Sequence, residues 1–244
     1  MNDDTVILKR KLPHIDVDGK PSFITACLAG SLPAAGLKRI RNYREELDSR
    51  PLPKQMATAE WELMKHKLVF KLIDSLLDGA SPTTHLADDR LAKIVFDSIL
   101  HFADQRYLLY GFVIMPSHHH WVFLPREQWS TELAIKQRDK KHPKTPREVI
   151  SHSIQSYTGT MCNRVLGTKG SFWEAETYDH YARDEAELIR LIDYIEQNPV
   201  KAGLVENPED FRWSSAHLRH KLGISIGDRI SKVGSASSLT KFII

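Results

Sequence analysis

The chain is poor in cysteine, in long apolar runs and in net charge, and each shortage narrows what it can be. Cys27 and Cys162 are its two cysteines in 244 residues. Two thiols cannot form a disulfide framework, which fits a reducing compartment. The longest apolar stretch, YLLYGFVIMP, is too short to span a bilayer. The leader MNDDTVILKRKLP has no apolar core of signal-peptide length, so a soluble cytoplasmic protein without a membrane partner is expected. A formal charge of +3 excludes a bulk polycation, so any hold on an anionic partner must come from local clusters.

Such clusters are present. Lys136, Arg138, Lys140, Lys141, Lys144 and Arg147 stand together against a single acid, Asp139. Lys38, Arg39, Arg41 and Arg44 form a second group. Basic patches of this size usually solvate a surface, but a phosphate backbone requires the same chemistry. The hydrophobic fraction of 41% and charged fraction of 27% are those of an ordinary globular chain. One domain over residues 1–220 is expected, followed by a Gly- and Ser-containing tail, 221–244.

Periodicity gives a coarse order of elements. SFITACLAG reads as a strand, and helices are expected at about 37–48 and through Trp61, Met64, Leu68, Leu72 and Leu76. Asp88 or Asp89 caps a helix whose stripe is Leu91, Ile94, Val95, Ser98, Ile99 and Phe102. RYLLYGFVIM and HHHWVFL follow as two strands joined too tightly for a helical crossover, hence an antiparallel pair. The basic stretch 128–147 reads as a loop with helical fragments. Helices at about 147–165 and 184–196 then flank an extended aromatic segment, SFWEAETYDHYA, and QNPV stops the second. Strands mixed with helices on one sheet argue for the α+β class.

Three consecutive histidines interrupt the second strand of the pair. Alternate side chains of a strand share a face, so His118 and His120 point one way and His119 the other. Two imidazoles at i and i+2 can grip one divalent cation. Taken alone the signal is weak, because a chain with 12 histidines produces a His-x-His readily. A strand with polar residues at its start explains it as well.

The surrounding residues add to this. MPSHHHWVFLP resembles the His-hydrophobic-His signature of the HUH single-tyrosine transposases, and within them the REP-associated tyrosine transposases. SIQSYTGTMCNRVLGTKGSFW resembles that family's tyrosine helix and Gly-x-x-Trp turn. YDHYARDEAELIRLIDYIEQNPVKAGL is similar to its Asn-Pro-Val helix terminus, and PEDFRWSSA to its closing segment. The resemblance runs in order from about Ser22 to Arg219.

The resemblance implies a ferredoxin-like antiparallel sheet with helices, of the HUH-endonuclease type, carrying the histidines on a central strand. Residues 37–77 would be a helical insertion after the first strand. His118 and His120 would hold Mg²⁺ or Mn²⁺, and Tyr157 would be the nucleophile forming a 5′-phosphotyrosine bond. The partner would be single-stranded or hairpin DNA from repeated extragenic palindromes, bound by a monomer or homodimer at the nucleoid. Lys136, Arg138, Lys140, Lys141, Lys144, Arg147 and Trp173 would contact that DNA. Two positions depart from the pattern. His119 replaces a hydrophobic residue, and Met161 stands where relatives often supply a third ligand, one turn beyond the tyrosine. A thioether suits a hard cation poorly. These departures keep open a second reading, a DNA-binding protein on the same fold without cleavage. A third, an unrelated His-x-His metal hydrolase, leaves the later motifs unexplained.

Overall fold

The computed structural model describes residues 19–77, 81–175 and 177–224. Strand β1, Ser22–Cys27, is buried along its whole length, as its apolar composition on both faces requires. Two helices follow, α1 (Ala34–Ser49) and α2 (Thr58–Leu77). Helix α3, Asp89–His101, starts where the Asp88 side chain accepts from the Arg90 N–H, and buries Leu91, Val95, Ser98 and Ile99. Strands β2 (Tyr107–Ile114) and β3 (His118–Pro125) form the expected antiparallel pair.

Helix α4, Glu127–Gln137, occupies the first half of the basic stretch, where a loop with helical fragments is expected. Helix α5, Pro146–Leu166, begins on a capping box between Thr145 and Glu148 and ends at Gly167, whose φ of 67° is readily adopted by glycine. Strand β4 (Tyr178–Tyr181), helix α6 (Glu185–Lys201) and helix α7 (Ser215–Leu222) complete the described chain. Helix α6 does not stop at Asn198-Pro199 but runs through it to Lys201, forgoing the one ladder bond that the proline nitrogen cannot donate. The expected tail lies, from residue 225, outside the described residues.

The sheet has four strands in the order β2-β3-β1-β4, every neighbouring pair antiparallel. Both helical crossovers, β1 to β2 and β3 to β4, skip one strand, which is the ferredoxin-like arrangement and the α+β class expected from the sequence. Strand β3 is central, as expected. Helices α3 and α5 pack on one face around Ile24, Ala26, Trp121 and Phe123. On the other, α6 lays Leu188, Ile192 and Ile195 against Phe23, Val113 and Val122. Helices α1 and α2 have a cluster of their own, Ile40, Leu47, Val69, Ile73 and Leu77, which meets the sheet at Cys27. Among the described residues no helix is long and apolar enough to cross a membrane.

Candidate active site

The alternation of β3 sorts its three histidines as the sequence predicts. His118 and His120 lie on the α6 face with Thr25 and Val122, and His119 lies on the α5 face with Trp121. All three are at most 1% exposed. A buried imidazole must be satisfied or remain neutral, and the two faces solve this differently.

On the α6 face each ring is held by a hydroxyl. His120 Nδ1 lies 2.7 Å from Thr25 Oγ1, across the β1–β3 pair, and His118 Nδ1 lies 3.0 Å from Ser117 Oγ. With Nδ1–H donating to each hydroxyl, both Nε2 lone pairs face the same point, only 3.0 Å apart. Asp74, on α2, brings Oδ1 to 3.3 Å from His120 Nε2. Two lone pairs and a carboxylate converging in a dry interior repel one another unless a proton or a cation lies between them.

The donor set fits a hard divalent cation. Asp74, His118 and His120 each offer one ligand atom, all within 4.8 Å of one another. Bonds of about 2.1 Å at a right angle span about 3.0 Å, so the two nitrogens suit adjacent positions of an octahedral ion. Hydroxyls fixing the far nitrogen of each ring are the usual support of metal-binding histidines. Burial, followed by the neighbouring His120 charge, holds His118 well below the ordinary histidine range, which keeps its lone pair available. Burial pushes the Asp74 carboxyl up, but the facing side chains of His120 and Tyr194 outweigh this and hold it below its usual value. Cys27 faces the same side, but burial pushes its thiol up to about 12, so it is protonated and a poor ligand.

A tyrosine stands at this cluster, and it is Tyr194. Its ring lies 5.7 Å from that of His120, and the ring of Phe70, from α2, lies 6.1 Å from it on another side. The Lys201 ammonium sits 4.5 Å from the same ring. Helix α6 aims its apolar stripe at the sheet, which leaves Tyr194 on the flank of that stripe, beside the histidines. One turn on, Asn198 is fully buried, and neither Nδ2 nor Oδ1 has a hydrogen-bond partner among the described residues.

Tyr157 is elsewhere. Helix α5 presses Ile150, Ile154 and Cys162 onto the Trp121 face, so the whole sheet separates it from His118 and His120. Tyr157 itself is 57% exposed on the outer side of α5. The expectation that it attacks at the histidine pair is therefore corrected by the geometry, and Met161, on the same helix, cannot be a ligand there either. Trp173, expected as a base platform, is 6% exposed and donates from Nε1 to Thr158 Oγ1, 2.9 Å away, under α5. Arg147, expected on DNA, is buried in an ion pair with Asp179 at 2.5 Å. His119 meets Trp173 edge-on at 5.0 Å, and with both nitrogens unpartnered it is driven by burial down to about 3, hence neutral.

Lys136, Arg138, Lys140, Lys141 and Lys144 are exposed. The segment that bears them leaves β3 after Pro125, at the end away from His118. The five steps from His120 to Pro125 cover about 17 Å of strand. Closer in chain position to the His118 end is α1, whose exposed Lys38, Arg39 and Arg41 follow directly on β1.

Three residues of the cluster escaped sequence reasoning. Tyr194 lies in DYIEQNPV, a stretch whose resemblance to the family was recognised but read as a helix stop. Asn198 lies in the same stretch, and its place four residues on, on one helical face, was the available signal. Asp74 carried none: an acid on an amphipathic helix is ordinarily a solvated one.

No family model matches the chain. A protein of Haemophilus influenzae named as a REP-associated tyrosine transposase is 38% identical over 55 residues. The matched stretch is 22% of this chain and 31% of that protein, so the match spans about a third of the relative's length. A solved structure of a REP-associated tyrosine transposase bound to a REP hairpin aligns over 88% of this chain and 87% of its own, with a TM-score of 0.48 and 14% identity. The motifs and the curated relative agree: this chain is similar to the REP-associated tyrosine transposases.

Proposed function

We propose that the protein is a metal-dependent single-stranded DNA endonuclease and strand transferase of transposase type, with Tyr194 as its nucleophile. The observation that carries this is the meeting of Tyr194, from α6, with two hydroxyl-tethered histidines whose Nε2 atoms converge to 3.0 Å. His118 and His120 would hold Mg²⁺ or Mn²⁺, with Asp74 as the third donor in the arrangement seen. Asn198 stands where the family resemblance calls for a ligand one turn beyond the tyrosine, and its amide oxygen suits a hard cation as Met161 does not. The bound cation would offset the charge of a phosphodiester at a non-bridging oxygen.

The step balances without a further reactant. The Tyr194 phenol oxygen bonds to phosphorus as the bond from phosphorus to the 3′ oxygen of the preceding nucleotide breaks. The phenol proton ends on that departing oxygen, directly or through solvent. The products are a 5′-phosphotyrosine and a free 3′-hydroxyl, and the reverse step at another 3′-hydroxyl joins strands. Holding the phenol on a helix packed against the sheet supplies the alignment. Hairpin DNA of repeated palindromes as the target rests on the name of the H. influenzae relative and on the motifs.

His119 and Met161, which motivate the DNA-binding reading without cleavage, belong to the α5 side of the sheet, so the chemistry proposed here does not depend on them.

A denaturing gel tests the proposal. End-labelled single strands carrying palindromic repeats, incubated with the full chain and Mn²⁺, should yield a covalent protein–DNA band that EDTA removes and Tyr194→Phe abolishes. A band that persists in Tyr194→Phe would overturn the assignment.

A further inference from the structure

A scissile phosphate attacked by Tyr194 must touch two things at once, the phenol oxygen and the cation held by the histidines. In this structure another anion fills that seat. The Asp74 carboxylate lies 3.3 Å from His120 Nε2, on the face where the Tyr194 ring stands 5.7 Å from the His120 ring. It arrives from α2, which also covers the histidines. Phe70, one turn before Asp74, stacks on Tyr178 at 4.1 Å and packs edge-on to Phe23 at 5.5 Å and to His120 at 6.2 Å. His118 and His120 are 1% and 0% exposed in this arrangement, to which α2 contributes Phe70 and Asp74.

We infer that the α1–α2 hairpin is an autoinhibitory gate, with Asp74 mimicking the substrate phosphate and single-stranded DNA entering only as the hairpin swings away. This rests on the site proposed above and extends it to regulation.

The way α2 is attached favours this. The hairpin carries its own apolar cluster, so its two helices can move as a unit once Phe70 leaves the α6-side core and the contact at Cys27 opens. Apart from the Phe70 packing and the contact at Cys27, its ties to the body around the site are polar and exchangeable with water. Lys67 Nζ reaches Glu187 Oε1 at 2.9 Å, the Tyr178 hydroxyl donates to the His66 carbonyl at 3.0 Å, and Asp74 faces His120. Glu187 keeps His180 and Arg183 as partners when Lys67 leaves, so opening strands no buried charge there. At the ion, a phosphate oxygen replaces a carboxylate oxygen, one hard anion for another.

A closed form that excludes DNA lowers the apparent affinity by the open fraction. Weakening closure must therefore tighten DNA binding, the opposite of what loss of an obligatory ligand does. The test measures anisotropy of a fluorescent single-stranded oligonucleotide with the full chain in EDTA, where no cleavage competes, together with hydrogen exchange of α2. Asp74→Ala, and separately Lys67→Met, should each raise affinity at least about fivefold, as a mostly closed ensemble requires. Exchange of α2 amides should quicken in both variants, and Mn²⁺ alone should slow it in the wild type but not in Asp74→Ala. Unchanged or weaker DNA binding in both variants would overturn the gate. Neither readout involves the covalent adduct, so a failure of the tyrosine chemistry would register on the gel and not here.

Discussion

The two faces of β3 hold the same kind of side chain in the same dryness and put it to opposite use. On one face, His118 and His120 have their outer nitrogens fixed by Ser117 and Thr25, so their inner nitrogens converge beside Asp74 and Tyr194. On the other, His119 meets the Trp173 ring, and neither of its nitrogens has a hydrogen-bond partner among the described residues. Burial alone thus says nothing of function. What separates a site from a core position is whether neighbouring polar groups orient the buried one toward a shared point.

That contrast can be broken in several places. Tyr194→Phe should eliminate the adduct altogether, while Tyr157→Phe, on the far side of the sheet, should leave its yield unchanged on the same gel. Replacing the tethers should act on the ion: Thr25→Val or Ser117→Ala should weaken Mn²⁺ binding by about 10–100-fold, as loss of such supporting hydrogen bonds generally does, measured by titration calorimetry. Equal Mn²⁺ affinity in these variants would remove the metal reading of the tethered face. On the opposite face, Arg147→Ala should cost about 3–5 kcal/mol in denaturant unfolding, because Asp179 is left charged and buried. A stable variant with weakened DNA binding would instead restore Arg147 to the DNA surface. His119→Leu should raise stability by about 1–2 kcal/mol, removing an unsatisfied imidazole without opening a cavity, and should leave Mn²⁺ binding intact. Smallest of all, Lys140→Ala and Lys141→Ala together should shift DNA affinity by less than about twofold, being exposed and at the wrong end of β3.

The fold was legible because its signals are local and repeated. The α3 stripe, the Asp88 cap and the tight link between β2 and β3 each follow from spacing, and the strand period alone separates His119 from its neighbours. The metal pair was legible for the same reason. The nucleophile was not, because two helices each carry a tyrosine and the choice between them is a matter of which face of the sheet each helix covers. That is decided by long-range packing of Ile150 and Ile154 against Trp121, and of Leu188 and Ile192 against Val122. Asp74 was beyond reach for a related reason: α2 is about 40 residues from β3, and nothing in its own pattern marks an acid that will be buried. Pro199 reads locally as a stop, but helix α6 continues past it to Lys201 at the expense of one ladder bond.

The central claim, that chemistry belongs to the α6 face, is tested most directly by finding the modified residue. The wild-type adduct, formed with Mn²⁺ and a palindrome-derived single strand, would be digested with nuclease and protease and its peptides sequenced by mass spectrometry. A nucleotide-phosphate mass on the peptide containing Tyr194 is the predicted result. The same mass on the peptide containing Tyr157 would contradict it, and would mean that the histidine pair and the nucleophile do not work from the same side of the sheet.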